Sequence, residues 1–121
     1  MKEIQTYALE RGVVVVPEIR LPGHAASWRH ADEEIVAACD VLRKQNPTNV
    51  ALNPLSNKTY EYIKGMIRET IEGFFPAELQ IYPVVHLGGD AVNFDCWTAD
   101  TQIMTYLLEK RINASDLWKE F

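Results

Sequence analysis

Val13 to Val16 is a run of four β-branched residues, and no other feature of the chain constrains its fold as strongly. Side chains alternate between the two faces of a strand. Four successive branched apolar residues therefore predict a strand buried on both sides, as in a parallel sheet covered by helices. A second apolar run, Tyr82-Pro83-Val84-Val85, leads into His86-Leu87-Gly88-Gly89-Asp90-Ala91-Val92, and Tyr82 to Leu87 reads as the second strand. Between the two lies Asn57 to Phe74. There Tyr60, Ile63, Ile67, Thr70, Ile71 and Phe74 recur at helical spacing behind a Ser56 or Asn57 cap, and Pro76 follows closely. Two strands joined by such a helix are parallel neighbours with a right-handed crossover.

The remaining segments fill in around that unit. Residues 2 to 11 suit a helix with Ile4, Tyr7 and Ala8 on its apolar face and Gly12 as its C-terminal cap. Pro17 and Pro22 stop strand pairing and open a long loop. Residues 33 to 44 read as loop with a helical turn or two. Residues 99 to 111 form a second amphipathic helix with Ile103, Met104, Leu107 and Leu108 inward, and Ser115 to Phe121 starts a further helix. The fold class is therefore α/β with about two βα units. A closed (β/α)₈ barrel takes eight strands in about 250 residues, so this chain has the content of roughly a quarter to a third of one. A fragment, a truncated homologue and a piece that completes its sheet with another copy all satisfy that reading.

Composition narrows the function classes. The chain has 121 residues, 47% of them hydrophobic, which is normal for a soluble globular domain with a core. Its net charge of −5 comes from carboxylates scattered among lysines and arginines, so no basic stripe invites nucleic acid. The apolar runs are too short to cross a bilayer, and residues 1 to 15 lack the order of a signal peptide. The expectation is a soluble segment with no membrane association and no address of its own. By spacing alone, Cys39 and Cys96 are a disulfide pair, buried free thiols or unrelated residues. Asn57-Lys58-Thr59 and Asn113-Ala114-Ser115 are glycosylation acceptor patterns and favour the secretory pathway.

The glycine-rich turn after the second strand carries the candidate chemistry, because α/β enzymes place their reactive groups at strand ends. A lone Gly-Gly-Asp is ordinarily only a turn. His24, His86, Glu18 and Asp90 show no zinc-type ligand spacing, so no metal and no cofactor is expected. His86 reads as a hydrogen-bonded core histidine and Trp97 as a buried tryptophan, while Trp28 offers a face for stacking on a sugar. Ser27, Ser56 and Ser115 sit in no nucleophile elbow, and neither cysteine has a base in sequence context, so acyl transfer is unsupported.

Several short motifs in order, Pro17-Glu18-Ile19, Pro22-Gly23-His24, Leu52-Asn53-Pro54, Tyr60-Glu61, Phe75-Pro76 and His86-Leu87-Gly88-Gly89-Asp90, give the chain a closer identity. Over almost its whole length it resembles the third and fourth strand region of the family 20 glycoside hydrolases, the β-N-acetylhexosaminidases. The resemblance implies that residues 1–121 are part of a catalytic (β/α)₈ barrel. It implies substrate-assisted retaining hydrolysis of terminal N-acetylhexosamine, in which the sugar's 2-acetamido oxygen attacks its own anomeric carbon. Asp90 then matches the aspartate that receives the acetamido N–H. Ala91 stands where the family has its general acid glutamate, so the chain is expected to be inactive. Arg20 replaces an aspartate that, with the histidine matched by His24, tunes that acid. Glu18 and Trp28 complete the supporting set, and an Arg20–Asp90 ion pair is expected across the pocket. Cys39 and Cys96 match a disulfide of animal lysosomal members, implying a lysosomal or extracellular location. The expected partners are an N-acetylhexosamine-containing glycan and the rest of the barrel or a second chain. The alternative is a non-catalytic sugar-binding or interaction module whose open sheet edges pair with a partner.

Overall fold

The computed structural model describes residues 2–77 and 83–120, and the chain divides into two compact units: Met1–Ile19 with Glu61–Leu87, and Arg20–Tyr60 with Gly88–Phe121. In the first unit, helix α1 spans Lys2–Leu9 and buries Gln5 and Ala8. Ile4 and Tyr7 are instead 56% and 61% exposed, which corrects the apolar face expected for this helix. The Gln5 side-chain oxygen accepts from the Val15 N–H at 3.1 Å, and satisfying that bond turns the Gln5 face inward. Tyr7 is covered from outside by the Arg11 guanidinium, 3.5 Å from the ring centroid. Beyond the helix the chain reverses at Gly12, whose φ of 71° suits a residue without a Cβ, and the Val13 N–H returns to the Ala8 carbonyl at 3.0 Å.

Strand β1 is Glu18–Leu21 and strand β2 is His86–Gly88, and they form a two-stranded parallel sheet. The first strand thus lies after the valine run. Val13, Val14 and Val16 are exposed and outside any strand, overturning the expectation of burial on both faces. A strand exists only where a ladder exists. Among the described residues, pairing starts where the His86 N–H donates to the Pro17 carbonyl at 2.9 Å. Proline has no N–H to give but can accept, so Pro17 opens the ladder where it was expected to stop it. The second strand is also shorter than Tyr82 to Leu87, and Tyr82 lies outside the described residues. Gly88 and Gly89, with φ of 74° and 106°, turn the chain out of β2.

Helix α3, Asn57–Phe74, has the extent that its periodicity predicts. The predicted face is half-buried along most of its length and closes on buried Phe74, whose ring meets Phe75 edge-on at 5.3 Å. Thr59, in its first turn, is fully buried and donates its hydroxyl to the Asn53 carbonyl at 2.7 Å.

The second unit is built from short elements stitched by backbone bonds. Residues 33 to 44 contain a 3₁₀ turn, Glu33–Ile35, and helix α2, Asp40–Gln45. Val36 bridges Leu52 antiparallel, the Leu52 N–H donates to the Pro22 carbonyl at 2.8 Å, and the Ala25 N–H donates to the Val50 carbonyl at 2.9 Å. Helix α4, Phe94–Ala99, was not legible in the periodicity. The Asn93 side chain caps it by accepting from the Asp95 N–H at 3.0 Å. It carries Cys96 and Trp97 into a core shared with Ile35, Leu52, Ile103 and Leu117. The indole of Trp97 donates to the Leu52 carbonyl at 2.8 Å, so a large apolar body is buried without orphaning its N–H. Cys39 and Cys96 form a disulfide with Cα atoms 5.0 Å apart, closing a separation of 57 residues.

Helix α5, Thr101–Lys110, starts at Asp100, a buried carboxylate that accepts from the N–H groups of Gln102, Ile103 and Ala38 at 2.9, 3.1 and 2.7 Å. One face of α5 buries Ile103 and Leu107, while Met104 and Leu108 are exposed, against the expectation that all four point inward. The i, i+4 pair alone follows the line that the Asp100 anchor sets. The chain then runs into the 3₁₀ helix Ala114–Glu120, whose Leu117 is fully buried.

Two stability outcomes follow from these anchors. Replacing Cys39 and Cys96 by serine releases a loop whose closure is worth about 4 kcal/mol in the chain-entropy model, and urea unfolding should show the midpoint fall accordingly. Equal midpoints for parent and variant would contradict this. Asp100→Ala removes a cap and leaves the Ala38 N–H unpaired, so the same assay should register a loss of about 2 kcal/mol; a change below about 0.5 kcal/mol, the range of an ordinary surface substitution, would show the anchor to be dispensable.

Candidate functional site

The geometry of the second unit brings part of the expected constellation together. Gly23 is buried so close to the Gly88-Gly89-Asp90-Ala91 loop that a Cβ there would overlap the Ala91 carbonyl oxygen. Backbone thus packs directly on backbone, and only glycine permits it. The next residue, His24, takes the left-handed conformation, φ 55° and ψ 30°, at the start of the 3₁₀ helix Ala25–His30. Because of that turn, His24 lines an open cavity of about 420 Å³ together with Ala91, Asn93, Phe94 and Asp95. The methyl of Ala91 offers no proton where His24 and Asp95 are the titratable groups of the lining.

Asp90 faces a smaller concavity of about 280 Å³, shared with Gly89, Val92, Phe94 and Trp118. Its carboxylate is exposed and able to accept from N–H or O–H groups. Trp118 was missed by sequence reasoning. Its ring edge lies 3.0 Å from where a Gly89 Cβ would stand, so the glycine that frees the turn also seats the indole. The only signal for it in the sequence is that second glycine. Two part-exposed aromatic rings beside a carboxylate form the kind of surface that a pyranose ring covers with its C–H groups while its polar substituents reach the acid.

The other expected residues lie differently. Arg20 is an exposed residue of β1 and lines neither cavity. Trp28 is half-buried in the 3₁₀ helix Ala25–His30 and lines neither cavity. In the first unit, Glu18 approaches Nδ1 of His86 at 3.4 Å. His86 is exposed, which corrects its reading as a core histidine. Its place in the short strand β2, paired to β1 on one side, leaves the ring in solvent and within reach of the carboxylate. Trp97 is buried as expected, and the Cys39–Cys96 disulfide is present.

A larger cleft of about 560 Å³, lined by Glu33, Glu34, Asn53 and Asp100, has its carboxylates already engaged. Glu34 pairs with Lys58 at 2.8 Å and Glu33 with Arg29 at 3.1 Å, while Asp100 holds backbone N–H groups. The Lys58 ammonium is raised above its ordinary range, first by Glu34 and then by Asp32. Among the described residues no three His, Cys, Asp or Glu side chains converge to hold a metal ion, and no helix is long and apolar enough to cross a membrane.

Comparison with known proteins agrees with the motifs that meet at the Ala91 cavity. The chain is 35% identical to a beta-hexosaminidase subunit beta of Sus scrofa over 104 residues, 86% of this chain and 18% of that protein. It is 34% identical to a beta-hexosaminidase subunit alpha of Bos taurus over 110 residues, 91% of this chain and 20% of that protein. The human beta-hexosaminidase subunit beta matches at 32% over 104 residues, again 86% of this chain and 18% of that protein. The chain therefore spans about a fifth of the length of these relatives. The family model for the catalytic domain of glycosyl hydrolase family 20 matches residues 1–121, and with that match running from the first residue to the last, the chain belongs to this family.

Proposed function

We propose that this chain is the third and fourth strand region of a β-N-acetylhexosaminidase barrel, and that it holds the N-acetylhexosamine end of a glycan without hydrolysing it. The observation that carries the reading is Ala91: the cavity it shares with His24 has a methyl where the family's chemistry uses a proton-donating carboxyl. In this reading Asp90 receives the acetamido N–H and steadies its positive charge, and Trp118 and Phe94 supply an apolar floor. The sugar's own acetamido oxygen is the nucleophile in the family's reaction, so no protein nucleophile is missing. What is missing is protonation of the leaving oxygen, a contribution of about 10²–10⁴ in rate. Arg20 adds positive charge where an acid-tuning carboxylate would stand.

A second reading has support of its own. Val13, Val14, Val16 and Val84 are all exposed, and large apolar side chains left in solvent in this number are what an interaction site would cover. The remaining strands of the barrel, or another chain, cover it in this account, and the segment serves as an interaction module. A lysosomal or extracellular location suits both readings, since the disulfide requires an oxidising compartment.

Thermal unfolding with a thiazoline mimic of the cyclised sugar intermediate tests binding. The midpoint of the parent should rise with ligand, by mass action, and that of Asp90→Asn should not. An unshifted parent would remove the sugar-binding reading and leave the interaction module. Hydrolysis of an aryl N-acetylglucosaminide tests the missing acid. The parent should release chromophore no faster than the uncatalysed background, and Ala91→Glu combined with Arg20→Asp should raise the rate above that background by about two to four orders of magnitude. Turnover by the parent would contradict the inactive assignment.

A further inference from the structure

The 3₁₀ helix at the end of the second unit opens on Asn113-Ala114-Ser115, a triplet that the sugar-binding reading, which draws on Trp118 further along the same helix, does not use. Three observations bear on this triplet. Helix α5 ends at Arg111 in the left-handed conformation, φ 55°, and the backbone turns outward into an exposed Asn113. The turn is locked from both sides: the Asn113 N–H donates to the Asp116 carboxylate at 3.1 Å, and the Asp116 N–H donates to the Asn113 carbonyl at 2.9 Å. That contact, with Lys119 second, holds the Asp116 carboxyl below the usual carboxylate range, so the lock persists at neutral pH. With the backbone of Asn113 committed, its carboxamide is left over. Among the described residues neither that carboxamide nor the Ser115 hydroxyl makes a hydrogen bond to protein, and Ser115 is exposed. Burial falls on the residue between them, Ala114, which faces the core. The Cys39–Cys96 disulfide supplies the independent indication that the chain matures in an oxidising compartment, where asparagine glycosylation also takes place.

We infer that Asn113 is an N-glycosylation site. The acceptor is the carboxamide nitrogen, and the donor is an oligosaccharide carried on a lipid pyrophosphate. The nitrogen bonds to the anomeric carbon, the carbon–oxygen bond to pyrophosphate breaks, and the lipid pyrophosphate leaves with the electron pair while one amide proton passes to base. Nothing is oxidised or reduced. The glycan then stands beyond the C-terminal end of α5, and its bulk is accommodated because the two residues that recognise the transfer are both exposed.

The test is a peptide map of the protein isolated from its own cells. Trypsin, cutting after Arg111 and Lys119, releases Ile112–Lys119, which contains this acceptor and no other. The peptide should be missing from the untreated digest. After peptide N-glycosidase in heavy-oxygen water it should appear with aspartate carrying the heavy oxygen at position 113. Recovery of most of the peptide unmodified before treatment would overturn the inference, as would recovery of the chain from the cytosol with Asn113 bare. Ser115→Ala, secreted from a eukaryotic host, provides a second reading. It replaces an exposed hydroxyl without a protein partner, so the fold should be kept while the gel shift on deglycosylation shrinks by one glycan. An unchanged shift would equally refute the site.

Discussion

The Cys39–Cys96 bond is the constraint on which the second unit rests. Around it are gathered elements that are individually too short to persist: 3₁₀ turns of three residues, helices of six, and the Val36–Leu52 β-bridge. Isolated helices of such length do not form in water, because the first turn fixes several residues for one hydrogen bond. The disulfide ties α4 to the segment entering α2, and the Ala51 N–H donates to the Cys96 sulfur at 3.4 Å, bringing the Val50–Leu52 run to the same point. Asp100, four residues further on, repeats the connection with charge: one carboxylate caps α5 and binds the Ala38 N–H. Covalent and electrostatic ties thus converge within a few residues, and Trp97 between them in the chain is fully buried with its indole N–H on the Leu52 carbonyl.

The candidate site inherits its shape from that core. The Pro22-Gly23-His24 turn is held by the Leu52 N–H on Pro22 and the Ala25 N–H on Val50, and the absent side chain of Gly23 lets the Ala91 loop rest against it. His24 and Ala91 are neighbours because two backbones touch, not because their side chains attract. The shape of the pocket therefore does not depend on which side chain stands at position 91.

How much of this was readable from the chain depends on the kind of signal. Helix α3 was visible because its periodicity runs for eighteen residues, long enough to outweigh local noise. Val13 to Val16 misled because branched residues report a preference for strand geometry, whereas a strand needs a partner at the right register, and pairing begins at Pro17. Gln5 and Asp100 were invisible for the opposite reason: polar residues are assumed exposed until a buried hydrogen bond claims them. Asp90, Ala91 and His24 were singled out through motifs in a fixed order, a signal that carries topology as well as composition, and the fold sets His24 and Ala91 on one cavity. Trp118 was not, because its place beside Gly89 is set by the path of the chain through α5 and the turn at Arg111.

The left-handed backbone at His24 limits how this loop is able to diverge. Its φ of 55° is set by the turn into the following 3₁₀ helix, independently of what the imidazole does. A lineage that no longer needs the imidazole is still bound by the dihedral. Asparagine and glycine enter such a position at little cost, while valine or isoleucine meets a steric penalty of about 1–2 kcal/mol. Drift at position 24 is thus channelled towards two or three residue types, and a histidine preserved there would point to selection on its side chain and not on the fold.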